Sequence, residues 1–92
     1  MGIKWLITGG FGFIGINLVL KIIQTNDFDK IYIIDNEQTD IKFNKIYFKS
    51  LLKDSLEIRS RVEFHNCNIT NRRKLKKLAS QTDIIVHLAA SS

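Results

Sequence analysis

The chain has 92 residues, which fits one small domain. A hydrophobic fraction of 45% and a charged fraction of 25% exclude an intrinsically disordered chain. The net charge of +5 depends largely on one run, Arg72–Lys77, which is a local cluster and not a basic surface.

The first half of the chain alternates predicted strands with a predicted helix. Ile3–Thr8 is a short apolar strand, and a loop with four of the five glycines follows it. Phe13–Thr25 has the periodicity of a helix that packs on a sheet. Its polar residues form one stripe at helical spacing: Asn17, Lys21 and Gln24. Lys30–Asp35 is a nearly continuous apolar run, which is typical of a parallel strand covered on both faces.

The second half continues the alternation. We predict a polar loop over Asn36–Asn44, a helix over Lys45–Leu56 and a strand over Arg61–His65. A further helix ends at Ala79, and Asp83–Leu88 forms the last strand. Thr70 or Asn71 can cap the helix that ends at Ala79. We expect Leu75, Leu78 and Ala79 to face inward and the basic run to face solvent.

The order of the elements is strand, helix, strand, helix, strand, helix, strand. Strands that alternate with helices indicate an α/β protein with right-handed crossovers and a parallel sheet. We therefore predict a Rossmann-type sheet with flanking helices and strand order 3-2-1-4, which is the first half of the doubly wound fold. Residues 1–92 would form the amino-terminal part of a dinucleotide-binding domain, with no second domain present.

The glycine loop is the strongest functional signal in the sequence. It reads Thr-Gly-Gly-Phe-Gly-Phe-Ile-Gly over residues 8–15, between a predicted strand and a predicted helix. Gly9 permits a tight turn, and Gly12 leaves room where a pyrophosphate must approach the backbone. Gly15 lets the helix pack close to the strands. The free N–H groups and the positive end of that helix would hold the phosphates.

Asp35 supplies the second element of a dinucleotide site. It ends the second predicted strand, 20 residues after Gly15, where an acid can accept hydrogen bonds from ribose hydroxyls. A carboxylate would repel a 2′-phosphate, and no Arg or Lys lies in the glycine loop or beside Asp35. The sequence therefore favours NAD over NADP. A glycine loop alone could be a simple turn, but here strand, loop, helix, strand and acid occur in register.

The spacing Gly9-x-x-Gly12-x-x-Gly15 after a threonine resembles the short-chain dehydrogenase/reductase superfamily. The fuller string resembles its extended branch, which contains the NAD-dependent nucleotide-sugar epimerases and dehydratases. The pair Asp35-Asn36 and the segment 83–90, Asp-Ile-Ile-Val-His-Leu-Ala-Ala, resemble the second and fourth strands of that family.

The resemblance implies a set of cofactor-binding residues beside the three glycines. They are Phe13 and Ile14 for the pyrophosphate, Asp35 and Asn36 for the adenosine ribose, Asn68 and Ile69 for the adenine, and Leu88, Ala89 and Ala90 along the fourth strand. The family usually has Asp where this chain has Asn68. We therefore expect a weakened or rearranged contact with the adenine amino group.

The catalytic residues of the family have no counterpart in these 92 residues. The resemblance requires a Tyr-x-x-x-Lys pair, but Asn36 stands four residues after Tyr32 and Leu51 four residues after Tyr47. The leading hypothesis is therefore an NAD-binding amino-terminal fragment of a nucleotide-sugar epimerase or dehydratase, inactive alone. The alternative is a free-standing module that binds adenine nucleotides, or a partner through the open edge of its sheet.

Several residues have two interpretations, and we favour the simpler one. His87 could be a catalytic base but is expected to be a packed structural histidine. Trp5 is expected in the core. Cys67 has no partner cysteine, which fits a reducing compartment. The run Arg72–Lys77 could bind nucleic acid but is expected to be a solvated helix face. No signal peptide or membrane-spanning run is evident, so we expect a cytoplasmic protein without nucleic-acid or membrane partners.

Overall fold

The computed structural model describes residues 2–9, 13–35, 50, 55–66 and 71–88. Within these ranges the elements are β1 Ile3–Thr8, α1 Phe13–Thr25, β2 Phe28–Asp35, α2 Leu56–Ser60, β3 Val62–Asn66, α3 Arg72–Ala79 and β4 Ile84–His87. The strands form one parallel sheet in the order β3-β2-β1-β4. The predicted Rossmann-type α/β fold with strand order 3-2-1-4 is confirmed. No helix in the described ranges is long and apolar enough to cross a bilayer.

The first face of the sheet carries the larger core. Ile7, Ile31 and Ile33 are fully buried there and form one cluster with residues of α1. The contributing positions of α1 are the apolar ones: Ile16, Val19 and Ile22. The polar stripe of α1 is exposed, as predicted from its spacing: Asn17, Lys21 and Gln24. This arrangement fixes α1 against β1 and β2, directly after the glycine loop.

The second face carries a smaller core under α3. Leu6, Tyr32 and Ile34 cluster there with Leu78. Leu75 and Ala79 pack against that cluster, so the predicted inward side of α3 is confirmed. The side chain of the cap residue, Asn71, accepts a hydrogen bond from the Lys74 amide at 3.3 Å. This is the cap expected from an asparagine before a helix.

The predicted helix over Lys45–Leu56 is wrong at its carboxyl end. Ser55 is extended, with φ −130° and ψ 96°, and its side chain caps the new helix α2 by accepting from the Ile58 amide. Ser50 is helical, and the remaining residues of the prediction lie outside the described ranges. Leu56 is 77% exposed, so it was wrong to count its apolar side chain toward the buried face of the predicted helix. Ser55 instead acts as an N-cap, and a new helix begins after it.

The expectation of a packed histidine in β4 is also wrong. Ile85 is 54% exposed and His87 is exposed, so the prediction of a packed His87 fails. Both residues point to the second face, where no described helix covers β4. Trp5, which was expected in the core, packs against the first-face cluster but is only half-buried. Cys67 lies outside the described residues.

Candidate functional site

The turn after β1 is fixed by a glycine and one backbone hydrogen bond. Thr8, the last residue of β1, is buried, and Gly9 follows with φ 76°. Positive φ costs glycine little, which confirms Gly9 as the residue that permits the turn. The Gly9 amide donates to the Ile34 carbonyl at 2.8 Å. The first residue after β1 is therefore still hydrogen bonded to β2.

The first turn of α1 faces the same edge of the sheet. Gly15 is buried and Ile14 is 68% exposed. The first turn contains no acidic side chain that would neutralise the positive end of the helix. The unpaired amides of a first helical turn are donors for an anion. The geometry and charge of this helix start therefore fit a phosphate group.

The end of β2 lies beside the start of the glycine loop. Ile34 pairs with Thr8 in the parallel register and accepts the hydrogen bond from Gly9. Asp35 is the next residue and pairs with Asn66 of β3. The backbone of Asp35 is therefore held one residue from the anchor of the turn, at the end of β2 where the sequence predicts an acid that binds a ribose.

A contact that the sequence did not predict joins β1 to β4. The Thr8 hydroxyl Oγ1 and the His87 Nδ1 lie 2.6 Å apart and are hydrogen bonded. One residue further on, the Leu88 amide donates to the Thr8 carbonyl at 2.9 Å. The predicted strand order could have indicated this contact, because it places the ends of β1 and β4 side by side. Leu88 is thereby held next to the start of the glycine loop.

The structure thus brings part of the predicted site to one edge of the sheet. Gly9, Ile14, Gly15 and Leu88 are placed there, together with the backbones of Phe13 and Asp35. Six predicted site residues lie outside the described residues and stay predictions: Gly12, Asn36, Asn68, Ile69, Ala89 and Ala90.

Fold and site together define a Rossmann-type α/β protein with a glycine turn between β1 and α1. The sequence model of the GDP-mannose 4,6 dehydratase family matches residues 6–92, and the chain belongs to this family. The resemblance to the extended short-chain dehydrogenase/reductases is confirmed by this match. A search of curated protein sequences gave no significant match.

Two solved structures illustrate the similarity. One is dTDP-glucose 4,6-dehydratase from Bacillus anthracis strain Ames in complex with NAD, with a TM-score of 0.74 and 26% sequence identity. The match covers 98% of this chain and 27% of the dehydratase chain. The other is Pen from Bacillus thuringiensis, with a TM-score of 0.79 and 18% identity over 99% of this chain and 26% of that one. The second similarity shows the fold alone. The chain spans about a quarter of the length of either protein.

Proposed function

We propose that this chain binds NAD at the carboxyl edge of its sheet, as the cofactor-binding part of an NAD-dependent nucleotide-sugar dehydratase or epimerase. The observation that carries the proposal is the Gly9 turn, which is hydrogen bonded to β2 directly before Asp35. Family membership supports it, as does the NAD complex of the Bacillus anthracis dehydratase.

In this proposal the chain binds and orients the cofactor. The amides of Phe13 and Ile14 donate to the pyrophosphate at the positive end of α1. Asp35 and Asn36 accept hydrogen bonds from the adenosine ribose. Leu88 continues from β4 along the cofactor. Bound NAD would supply the hydride acceptor for oxidation of a sugar hydroxyl.

Binding can be tested by calorimetry with NAD, NADP and ADP. We expect NAD to bind more tightly than NADP, and Asp35→Asn to weaken NAD binding about tenfold by removing a charged acceptor. Asp29→Asn is the matched control, because Asp29 is an exposed acid near the opposite end of β2. Equal affinity for NAD and ADP would show that only the adenosine half is recognised. The absence of binding to all three ligands contradicts the proposal.

Catalysis by the 92 residues alone is not expected, because they contain no Tyr-x-x-x-Lys pair. Incubation of the chain with NAD and a nucleotide sugar such as dTDP-glucose should therefore give no product. Conversion of the sugar above the rate without protein would refute the assignment of a cofactor-binding part without catalytic residues.

The alternative of a partner-binding module rests on β4. Among the described strands β4 pairs only with β1, and Ile85 on it is 54% exposed. An unpaired apolar edge favours association, so we propose self-association through β4. Sedimentation should show a concentration-dependent dimer that Ile85→Lys weakens. A strictly monomeric chain would leave nucleotide binding as the supported function.

We also propose a cytoplasmic location, because a single cysteine fits a reducing compartment. Fractionation of cells that carry the tagged chain is the direct measurement, and recovery in an oxidising compartment would contradict the proposal.

A further inference from the structure

A groove lies on the second face of the sheet, between α3 and the strands β2 and β3. Its volume is about 530 Å³, within the range typical of small-molecule sites. Tyr32 and His65 line it from the sheet, and Arg73, Lys74 and Lys77 line it from the helix. The helix α1 packs on the opposite face, so the groove is separate from the first turn of α1.

The anionic side chain in the groove is already neutralised. Glu63 forms an ion pair with Lys30 at 2.8 Å, and His65 lies 3.4 Å from its other oxygen. The hydrogen bond from Lys30 is the main reason that the pKa of Glu63 lies below its ordinary value, and it outweighs the opposing effect of burial. Glu63 is therefore not the counter-ion of the helix cations.

The cations of α3 that line the groove have no anionic partner among the described residues. Arg73 and Lys77 are four residues apart, and Lys74 and Lys77 three, so their side chains are neighbours on one side of the helix, with Cβ atoms roughly 5–6 Å apart. Lys74 is half-buried. Three adjacent, unpaired cations favour an anion with several oxygens, such as a phosphate.

The basic run of α3 does not line the groove as a whole. Arg72 and Lys76 lie outside the groove lining. The five cations therefore divide into a groove set of three and a set of two outside the groove on the same helix. The two sets differ in the side of α3 that they occupy, since Arg73 and Lys77 are exposed as well and only Lys74 is half-buried.

The sheet side of the groove is lined by His65, which is half-buried, and by Tyr32, which is buried in the second-face cluster and exposes only a small part of its ring. The rings of Tyr32 and His65 lie 6.2 Å apart at 47°. The Tyr32 hydroxyl donates to the Gln81 side-chain oxygen at 3.4 Å, which holds the tyrosine ring in place across the groove. Aromatic side chains at such a surface favour a ligand that also carries a flat ring.

We propose that this groove binds a small organic phosphate, with its phosphate at Arg73, Lys74 and Lys77 and its ring against Tyr32 and His65. The site is additional to the NAD site and does not depend on it. A ligand without a ring would use only the cations, and a ligand without a phosphate would use only the aromatic surface.

The test uses the 92-residue chain, with and without added NAD, and the probe 1-naphthyl phosphate, with inorganic phosphate and 1-naphthol for comparison. Calorimetry should show that naphthyl phosphate binds more tightly than either part alone. Arg73→Gln and Lys77→Gln should each weaken its binding about tenfold, because each removes a charge-assisted hydrogen bond. The matched controls Arg72→Gln and Lys76→Gln should change it less than about twofold, the size of a screened surface charge effect.

Circular dichroism of each variant checks that it folds, and Lys74→Gln replaces Arg73→Gln or Lys77→Gln if either does not. Equal weakening by all four variants would overturn the proposal in favour of diffuse attraction by a basic helix, and retention on single-stranded DNA with the same pattern would point to nucleic acid. Displacement of the probe by further NAD, or the absence of probe binding, would also overturn it. None of these results depends on whether NAD binds at the carboxyl edge.

Discussion

The two faces of the sheet differ in what covers them. On the first face, fully buried isoleucines of β1 and β2 pack against α1 in a cluster that contains eight buried residues of the described part of the chain, all of them apolar. On the second face the cluster under α3 has four buried residues and includes Tyr32. The area beside it contains ionic and aromatic side chains around the groove. The first face therefore accounts for most of the hydrophobic stabilisation, and the second face is left free for polar contacts.

This difference explains how one small sheet can be stable and still offer binding surfaces. The first face holds α1, and with it the helix start that follows the glycine turn. The second face contributes Thr8 and His87 at the carboxyl edge and the basic wall of the groove. Stability and ligand contacts are thus separated by the alternation of side chains along each strand.

The largest expected effect is on the first-face core. Ile33 is fully buried in β2, so Ile33→Ala should lower the free energy of unfolding by about 3–4 kcal/mol. Leu78→Ala, in the smaller second-face cluster, should cost about 2 kcal/mol. Urea denaturation measures both. If Ile33→Ala does not fold, Ile33→Val should cost about 1 kcal/mol. Equal losses at the two alanine variants would contradict the difference between the faces.

A second prediction concerns the edge of the first face. The Arg61 guanidinium donates to the Phe28 carbonyl at 2.8 Å, lies 4.2 Å from the centroid of the Phe28 ring, and contacts Asn26 at 3.3 Å. Arg61→Leu should cost about 2 kcal/mol, because a carbonyl loses its charged donor and the cation–π contact disappears. Arg61→Lys should recover only part of this loss. Arg59→Leu, at an exposed position of α2, is the control and should change the unfolding midpoint little.

A third, smaller effect is expected on the second face. Thr8→Val keeps the shape of a buried side chain but removes the hydroxyl that contacts His87. The loss of this one hydrogen bond should lower the free energy of unfolding by about 1 kcal/mol, because water can solvate the exposed histidine instead. Thr8→Ser should retain the contact. Nitrogen chemical shifts of the His87 ring report it directly, and an unchanged shift in Thr8→Val would show that the bond does not form in solution.

The sequence predicted the parts of the molecule that depend on periodicity and on glycine. The strand order, the exposed stripe of α1 and the inward side of α3 follow from local patterns. Gly9 was assigned correctly because positive φ is a property of one residue type. The carboxyl end of the helix predicted over Lys45–Leu56 was wrong because an apolar periodicity does not reveal where a serine cap begins a new helix.

Features that depend on contacts between distant segments could not be predicted in the same way. The apolar sequence of β4 suggested a packed His87, but the burial of a strand residue depends on which helix lies above the strand. The exposed His87 and its hydrogen bond to Thr8 are consequences of that packing. The groove is likewise lined by both Tyr32 and Lys77, residues that are far apart in the chain.

The smallest expected effect tests the ionic contact of the second face through its pH dependence. The pKa of Glu63 is lowered in the folded chain, chiefly by its hydrogen bond from Lys30. A lowered pKa means that the contact stabilises the fold above about pH 5, where the acid is ionised in both states, and that this contribution is lost as the pH falls through the lowered pKa. The Glu63 side chain is 43% exposed, so solvent screening limits the contribution to less than about 1 kcal/mol. Glu63→Gln should therefore flatten the acid side of the stability profile slightly, measured as urea midpoints across the acidic range.

Asp83→Asn is not a suitable control, because the Asp83 carboxylate accepts from the Lys4 amide at 2.9 Å. Asp29→Asn, an exposed acid of β2, is suitable and should leave the profile unchanged. A profile that is identical in Glu63→Gln and the unaltered chain would show that the contact contributes nothing and that the second face depends on Leu78 and its neighbours alone.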